Sequence, residues 1–178
     1  LVNTATAGKD WVNHPATWIM AVDTDSGKRI PFGKGGAPSA TIADAVCASY
    51  GVPFWCPPVT VADRTYIDGG VASPTSADLL ADSAVDEVIV LAPMASRQPD
   101  QPRSPLMKIE RRVRRYMTTI VDREVALLEK SGKRVIRIEP NAQDLNAFGY
   151  NMMDPKRRRQ VYDTAQITTA ETVRMAIG

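Results

Sequence analysis

The sequence predicts an α/β fold, with a central sheet flanked by helices. Three observations carry that prediction. Short β-branched runs alternate with stretches of helical spacing along all 178 residues. The run Val88-Ile89-Val90-Leu91 is continuous and apolar, the pattern of a strand covered on both faces. Hydrophobic residues make up 44% and charged residues 24%, an ordinary globular mixture that excludes a disordered tail, a collagen-like chain and a disulfide scaffold.

The elements follow in order. Trp18-Ile19-Met20-Ala21-Val22-Asp23 is an apolar run and predicts a strand. Asp25-Ser26-Gly27-Lys28 is turn chemistry, and Arg29-Ile30-Pro31-Phe32 is the return arm. Pro31 cannot donate to a ladder, so this arm belongs at a sheet edge. Gly33-Lys34-Gly35-Gly36 is a loop, but no Gly-Lys-Ser/Thr follows, so it is not a phosphate loop. A helix is expected from Ser39 or Thr41 to Ser49, with Ile42, Ala45 and Val46 on one face and Gly51 and Pro53 as stops. Thr60-Val61 and Thr65-Tyr66-Ile67 are short strands around an Asp63-Arg64 turn.

A second set of elements follows Asp68-Gly69-Gly70. A helix is expected over 73–81, capped by Thr75 or Ser76, and then the buried strand over 86–93. A proline-rich connection over 94–103 leads to a long helix. Ser104 is its cap, Pro105 its first turn and Gly132 its stop. Leu106, Ile109, Val113, Met117, Ile120, Leu127 and Leu128 form its expected buried stripe. A strand over 134–139 and a helix opened by Asp154-Pro155 complete the chain.

Charge is unevenly spread. Residues 1–107 carry 7 basic and 11 acidic side chains, and residues 108–178 carry 15 and 9. The excess sits in Lys108–Arg115 and Lys156–Arg159. Such runs are either solvated helix faces or surfaces for anionic lipid. Nucleic acid is not expected, since no recognition motif and no aromatic interleaving accompany them. The only histidine is His14, and Cys47 and Cys56 lack Cys-x-x-Cys spacing, so no metal site and no cofactor is expected. Both thiols are expected to be buried in a reducing, cytoplasmic protein with at most peripheral membrane contact. There is no apolar run of membrane-spanning length and no signal pattern.

The chemistry-bearing stretch is Tyr66-Ile67-Asp68-Gly69-Gly70, followed by Pro74-Thr75. A carboxylate at a strand end is aimed rigidly beyond that end, where α/β sheets place ligands. Two glycines behind it permit close approach of neighbouring backbone. The flanks extend the pattern: Ala43–Pro53, the proline-rich Pro57-Pro58-Val59, and Asp86–Val90 downstream. In order and spacing this resembles the second half of the patatin-like phospholipase family, closely over 18–93 and in the looser manner of its bacterial members from 104 onward.

The resemblance implies a patatin-like layered fold, with residues 1–178 the C-terminal part of one domain and 104–178 its helix-rich extension. It implies hydrolysis of lipid or other acyl esters by a Ser–Asp dyad without histidine. Asp68 matches the general base, and Gly69 and Gly70 match the glycines that follow it. Phe54 and Trp55 are candidates to line an acyl pocket. The family's nucleophile lies in Gly-x-Ser-x-Gly, which does not occur in these 178 residues. Ser73 and Ser76 are near Asp68 in sequence but fit turn and cap roles. The chain starts at Leu1 and not at Met, and the nucleophile is expected upstream. Alone, the chain is expected to be inactive, and to associate with that upstream part or with itself through an uncovered edge and apolar face.

Overall fold

The computed structural model describes residues 2–14, 16–98, 100–102, 104–152 and 154–177. Leu1, where the chain starts, and Pro99 and Arg103 of the proline-rich connection lie outside them. The chain forms two compact units, residues 1–73 and 74–178.

The first unit holds a four-stranded antiparallel sheet in the order β2-β1-β4-β3. The strands are β1 (Ile19–Asp23), β2 (Arg29–Phe32), β3 (Val59–Val61) and β4 (Arg64–Asp68). A four-residue helix, α1 (Val2–Ala5), precedes them and has no counterpart in the sequence reading. Pro31 lies on β2, an edge strand, as its missing N–H requires. The β1–β2 turn is built by Asp23. Its Oδ1 accepts from the amides of Asp25 (3.0 Å) and Ser26 (2.9 Å), and Gly27 supplies the positive φ of 66°. Both central residues of the β3–β4 turn, Ala62 and Asp63, have positive φ, as tight hairpin turns demand.

Helix α2 (Ile42–Ser49) lies across β1, β4 and β3. The Thr41 side chain accepts from the Asp44 amide and caps it. Ile42, Ala45 and Ala48 are its buried residues, and Val46 is half-buried. The core joins Ala45 and Ala48 to Ala21, Phe32, Val61 and Tyr66, with Phe32 and Tyr66 meeting edge to face at 5.0 Å. Cys47 points to solvent and Cys56 is half-buried, and both are free thiols. The expectation of buried thiols is therefore corrected. Cys47 occupies the outer side of an amphipathic helix, where spacing outweighs side-chain type.

The second unit is a βαβ arrangement. Strands β5 (Glu87–Leu91) and β6 (Arg134–Ile138) pair in parallel and are joined by α3 (Pro105–Lys130). The described strands thus fall into two sheets, where the sequence predicts one central sheet. β5 is buried on one face only: Val88 and Val90 are buried, while Ile89 and Leu91 are 56% and 65% exposed. A continuous apolar run does not say which face finds cover, and here α3 covers one. The expected helix over 73–81 is reduced to a short 3₁₀ turn, Ala77–Leu80. Neither Thr75 nor Ser76 caps it by side chain. Ser76 has a positive φ of 50°, and the Thr75 hydroxyl donates to Glu124 at 2.5 Å.

Helix α3 begins and ends as its sequence directs. The Ser104 hydroxyl accepts from the Met107 amide (3.2 Å), Pro105 opens the first turn, and Gly132 turns the chain away with φ +83°. Of the expected stripe, Leu128 is buried and Met117 and Ile120 are half-buried, but the rest is not. Arg111, Arg114, Thr118, Val121, Glu124, Val125 and Leu128 are buried, while Leu106, Ile109, Val113 and Leu127 are exposed. Two arginines are taken in because carboxylates and carbonyls satisfy them. The Arg111 guanidinium pairs with Asp100 (2.7 Å) and Glu110 and donates to the Leu145 carbonyl (2.8 Å). Arg114 pairs with Glu110 (2.8 Å) and donates to the Pro93 carbonyl (2.7 Å).

Two helices complete the unit. α4 (Ala142–Phe148), absent from the sequence reading, starts at a capping box between Asn141 and Asp144. α5 (Arg158–Ile177) packs on α4 and β6. Arg157 donates to the Ala147 carbonyl (2.8 Å) and so satisfies the C-terminal end of α4. The basic runs are therefore only partly solvated. Arg111, Arg114 and Arg157 hold the fold together.

Candidate active site

The C-terminal end of β4 places Asp68. Its Cα partner across the sheet is Ala21 of β1, a fully buried residue. Its amide donates to the Gly51 carbonyl at 3.1 Å, which ties the strand end to the loop after α2. Its carboxylate Oδ1 accepts from the Gly70 amide at 2.8 Å. The carboxylate thus caps the 3₁₀ turn Gly69–Val71. Three bonds or pairings fix this one residue, and among the described residues no hydrogen bond is made to Oδ2.

The two glycines are required for different reasons. A Cβ at Gly69 would lie 2.7 Å from the Met20 carbonyl oxygen and 2.8 Å from the Met20 Cβ. Only glycine lets the chain pass so close to β1. A Cβ at Gly70 would lie 3.3 Å from Asp68 Oδ1 and crowd the carboxylate itself. The Ala72 and Ser73 amides both donate to the Gly69 carbonyl (3.1 and 3.2 Å), closing the turn behind the site.

Phe54 and Trp55 stand on the loop that begins at Gly51. Both are strongly exposed, at 104% and 73%, and Phe54 has a positive φ of 71°. His14 is exposed as well. The sequence reading named Asp68 and its glycines but treated Gly51 only as a helix stop. Gly51 is buried, and a Cβ there would meet the Ala48 carbonyl at 3.2 Å and the Ile67 Cα at 3.4 Å. Its position right after the α2 stop was the available signal. In the second unit, Gln143, Lys156, Arg159, Asp163 and Ile167 line an open groove of about 600 Å³, and no sequence-named site residue belongs to it. Among the described residues, no cluster of His, Cys, Asp and Glu has metal-binding form. No described helix is long and apolar enough to cross a membrane.

The arrangement is a strand-end aspartate, immobilised through one oxygen, with tight glycine backbone behind it. Residues 16–81, less than half of the chain, match the model of the patatin-like phospholipase family. That family implies acyl-ester hydrolysis and lipid or acyl-ester substrates. The matched segment contains the whole four-stranded sheet, α2 and the Asp68 turn. No curated protein matches the chain.

Proposed function

We propose that Asp68 is the general base of a Ser–Asp dyad in a patatin-like acyl hydrolase, with lipid or other acyl esters as substrate. The observation that carries this reading is the carboxylate itself. Oδ1 is held by the Gly70 amide, which leaves Oδ2 to accept a proton. A serine hydroxyl at hydrogen-bond distance from Oδ2 would lose its proton to it as the oxygen attacks the ester carbonyl. Asp68 would pass that proton to the departing alkoxide as the acyl-enzyme forms, then take a proton from the water that cleaves the acyl-enzyme and return it to the serine oxygen. Gly69 and Gly70 hold the carboxylate, and Phe54 and Trp55 offer apolar surface to the acyl chain from the loop tied to Asp68 through Gly51.

On this reading the nucleophile and the oxyanion donors are supplied by a segment other than these residues, among which no Gly-x-Ser-x-Gly occurs. Loss of the nucleophile typically lowers the rate of a serine hydrolase by about 10⁶. The 178 residues by themselves are thus expected to be inactive on a p-nitrophenyl acyl ester and unlabelled by a fluorophosphonate. Joined to an upstream segment that carries Gly-x-Ser-x-Gly, the chain is expected to show both, and Asp68→Asn is expected to remove hydrolysis. Full activity in Asp68→Asn would overturn the base assignment.

A further inference from the structure

The long helix α3 presents an outer face that the acyl-hydrolase reading does not use. Leu106, Ile109, Val113, Tyr116 and Leu127 are 54%, 58%, 48%, 64% and 44% exposed. The first four recur at three- and four-residue intervals and Leu127 follows eleven residues, about three turns, further on, so they share one stripe along the helix. Beside it, at intervals of four, three, eight and seven residues that keep to one side of the helix, run Lys108, Arg112, Arg115, Arg123 and Lys130, all exposed. Among the described residues none of these five cations has a carboxylate partner. Three of the helix's four acids are engaged elsewhere, and the fourth, Glu129, is exposed in the last turn. Glu110 is taken by Arg111 and Arg114, Asp122 by Arg97 and Arg137, and Glu124 is buried beneath Thr75 and Ala77. An apolar stripe is thus flanked by a purely cationic one.

Helix physics sharpens the anomaly. Lys108 lies at the end of the first turn, where the helix dipole disfavours a cation, and Arg112 and Arg115 follow within the next two turns. The buried Arg111 and Arg114 of the same run are compensated by ion pairs, whereas these three are not. A second copy of the chain on this face would set like charges against each other. An anionic bilayer meets both stripes at once. The apolar side chains enter the headgroup–acyl boundary, Tyr116 sits at the polar interface, and the long basic side chains reach the phosphates.

We propose that the outer face of α3 is a peripheral docking surface for anionic lipid membranes. It rests on α3 alone, so it stands or falls independently of the Asp68 assignment. The test is co-sedimentation of the full chain with vesicles of phosphatidylcholine alone and of phosphatidylcholine mixed with phosphatidylserine. Binding is expected to the mixed vesicles, to weaken with added salt, and to be far weaker on phosphatidylcholine. Each removed cation is expected to weaken binding about fivefold, so the variant Arg112→Gln/Arg115→Gln/Arg123→Gln should lose about a hundredfold. These residues are exposed, so the variant should keep the melting curve of the parent chain. Ile109→Glu should also abolish binding, and Asp68→Asn should leave it unchanged. Equal binding to both vesicle types, or full binding by the triple variant, would overturn the proposal. A concentration-dependent oligomer dispersed by Val113→Glu, without vesicle binding, would assign the face to self-association instead and overturn it equally. So would tight capture of this face by an upstream segment of the same protein that leaves Ile109→Glu vesicle binding unaltered.

Discussion

Replacing Gly69 by alanine tests whether the backbone behind Asp68 is packed as tightly as its geometry states. The added Cβ would lie 2.7, 2.8 and 2.9 Å from the carbonyl oxygen, Cβ and carbonyl carbon of Met20. Comfortable carbon contacts are about 3.5–4.0 Å, so each distance falls short by more than half an ångström. The opposing atoms belong largely to the β1 backbone, not to the end of a flexible side chain. β1 is itself held by β2 on one side and β4 on the other, so it gives way only by straining both ladders. Forcing one methyl into such a site costs about 1–3 kcal/mol. For a unit of this size, each kcal/mol lowers the melting temperature by about 4–8 °C. Gly69→Ala is therefore expected to melt roughly 5–20 °C below the parent chain in a circular-dichroism melt. Gly35→Ala is the control. Nothing lies within 4 Å of its Cβ and its φ is not left-handed, so its effect should stay within about 0.5 kcal/mol. A Gly69→Ala chain that melts within about 2 °C of the parent would refute the close-approach reading and, with it, the claim that Asp68 is rigidly held.

Two further outcomes follow from the ion pairs. Arg114→Ala should destabilise the second unit by about 1–3 kcal/mol in urea unfolding, because it leaves the Pro93 carbonyl without its buried donor and Glu110 with Arg111 alone, whereas the neighbouring Arg115→Ala should change stability by less than about 0.5 kcal/mol. Asp23 is held below the usual carboxylate range, first by the Ser26 amide and then by the Ser26 hydroxyl, Arg64 and the Asp25 amide, against the opposing effect of burial. A lowered folded-state pKa means that its stabilisation is present above the ordinary value of 3.8 and is lost as pH falls through the lower folded value. Asp23→Asn should accordingly be less stable than the parent near neutral pH and show a flatter loss of stability below about pH 4; a parent and variant with parallel acid limbs would contradict the assignment.

What the sequence revealed of the fold depended on how local the cause was. The termini of α2 and α3 were legible because Thr41, Ser104, Pro105 and Gly132 act on their own turns. The edge position of β2 was legible because Pro31 lacks an N–H. The buried face of α3 was not. Spacing identifies a stripe, but which stripe faces inward is decided by partners distant in sequence. Asp100, Pro93 and Leu145 make it favourable to bury Arg111 and Arg114, while the more apolar side stays outside. The same reason hid the exposed side of β5. Helix α4 was passed over although its capping box, Asn141 and Asp144, is a local signal; at seven residues it is too short for apolar spacing to stand out.

The candidate site shows the same division within three residues. That Asp68 ends a strand and that glycine follows it were both readable from Tyr66-Ile67-Asp68-Gly69-Gly70. What makes the arrangement rigid was not, because it comes from elsewhere in the chain. Gly51 supplies the carbonyl that takes the Asp68 amide, and Met20 supplies the wall that excludes any side chain at Gly69. A strand-end Asp-Gly turn without those two contacts would leave the carboxylate free to reorient, and a base must meet its hydroxyl within hydrogen-bond reach. The carboxylate is thus given by Asp68, but its fixed placement is supplied by the loop after α2 and by β1. Substitution at Gly51 or Gly69 should therefore impair the site without touching the carboxylate.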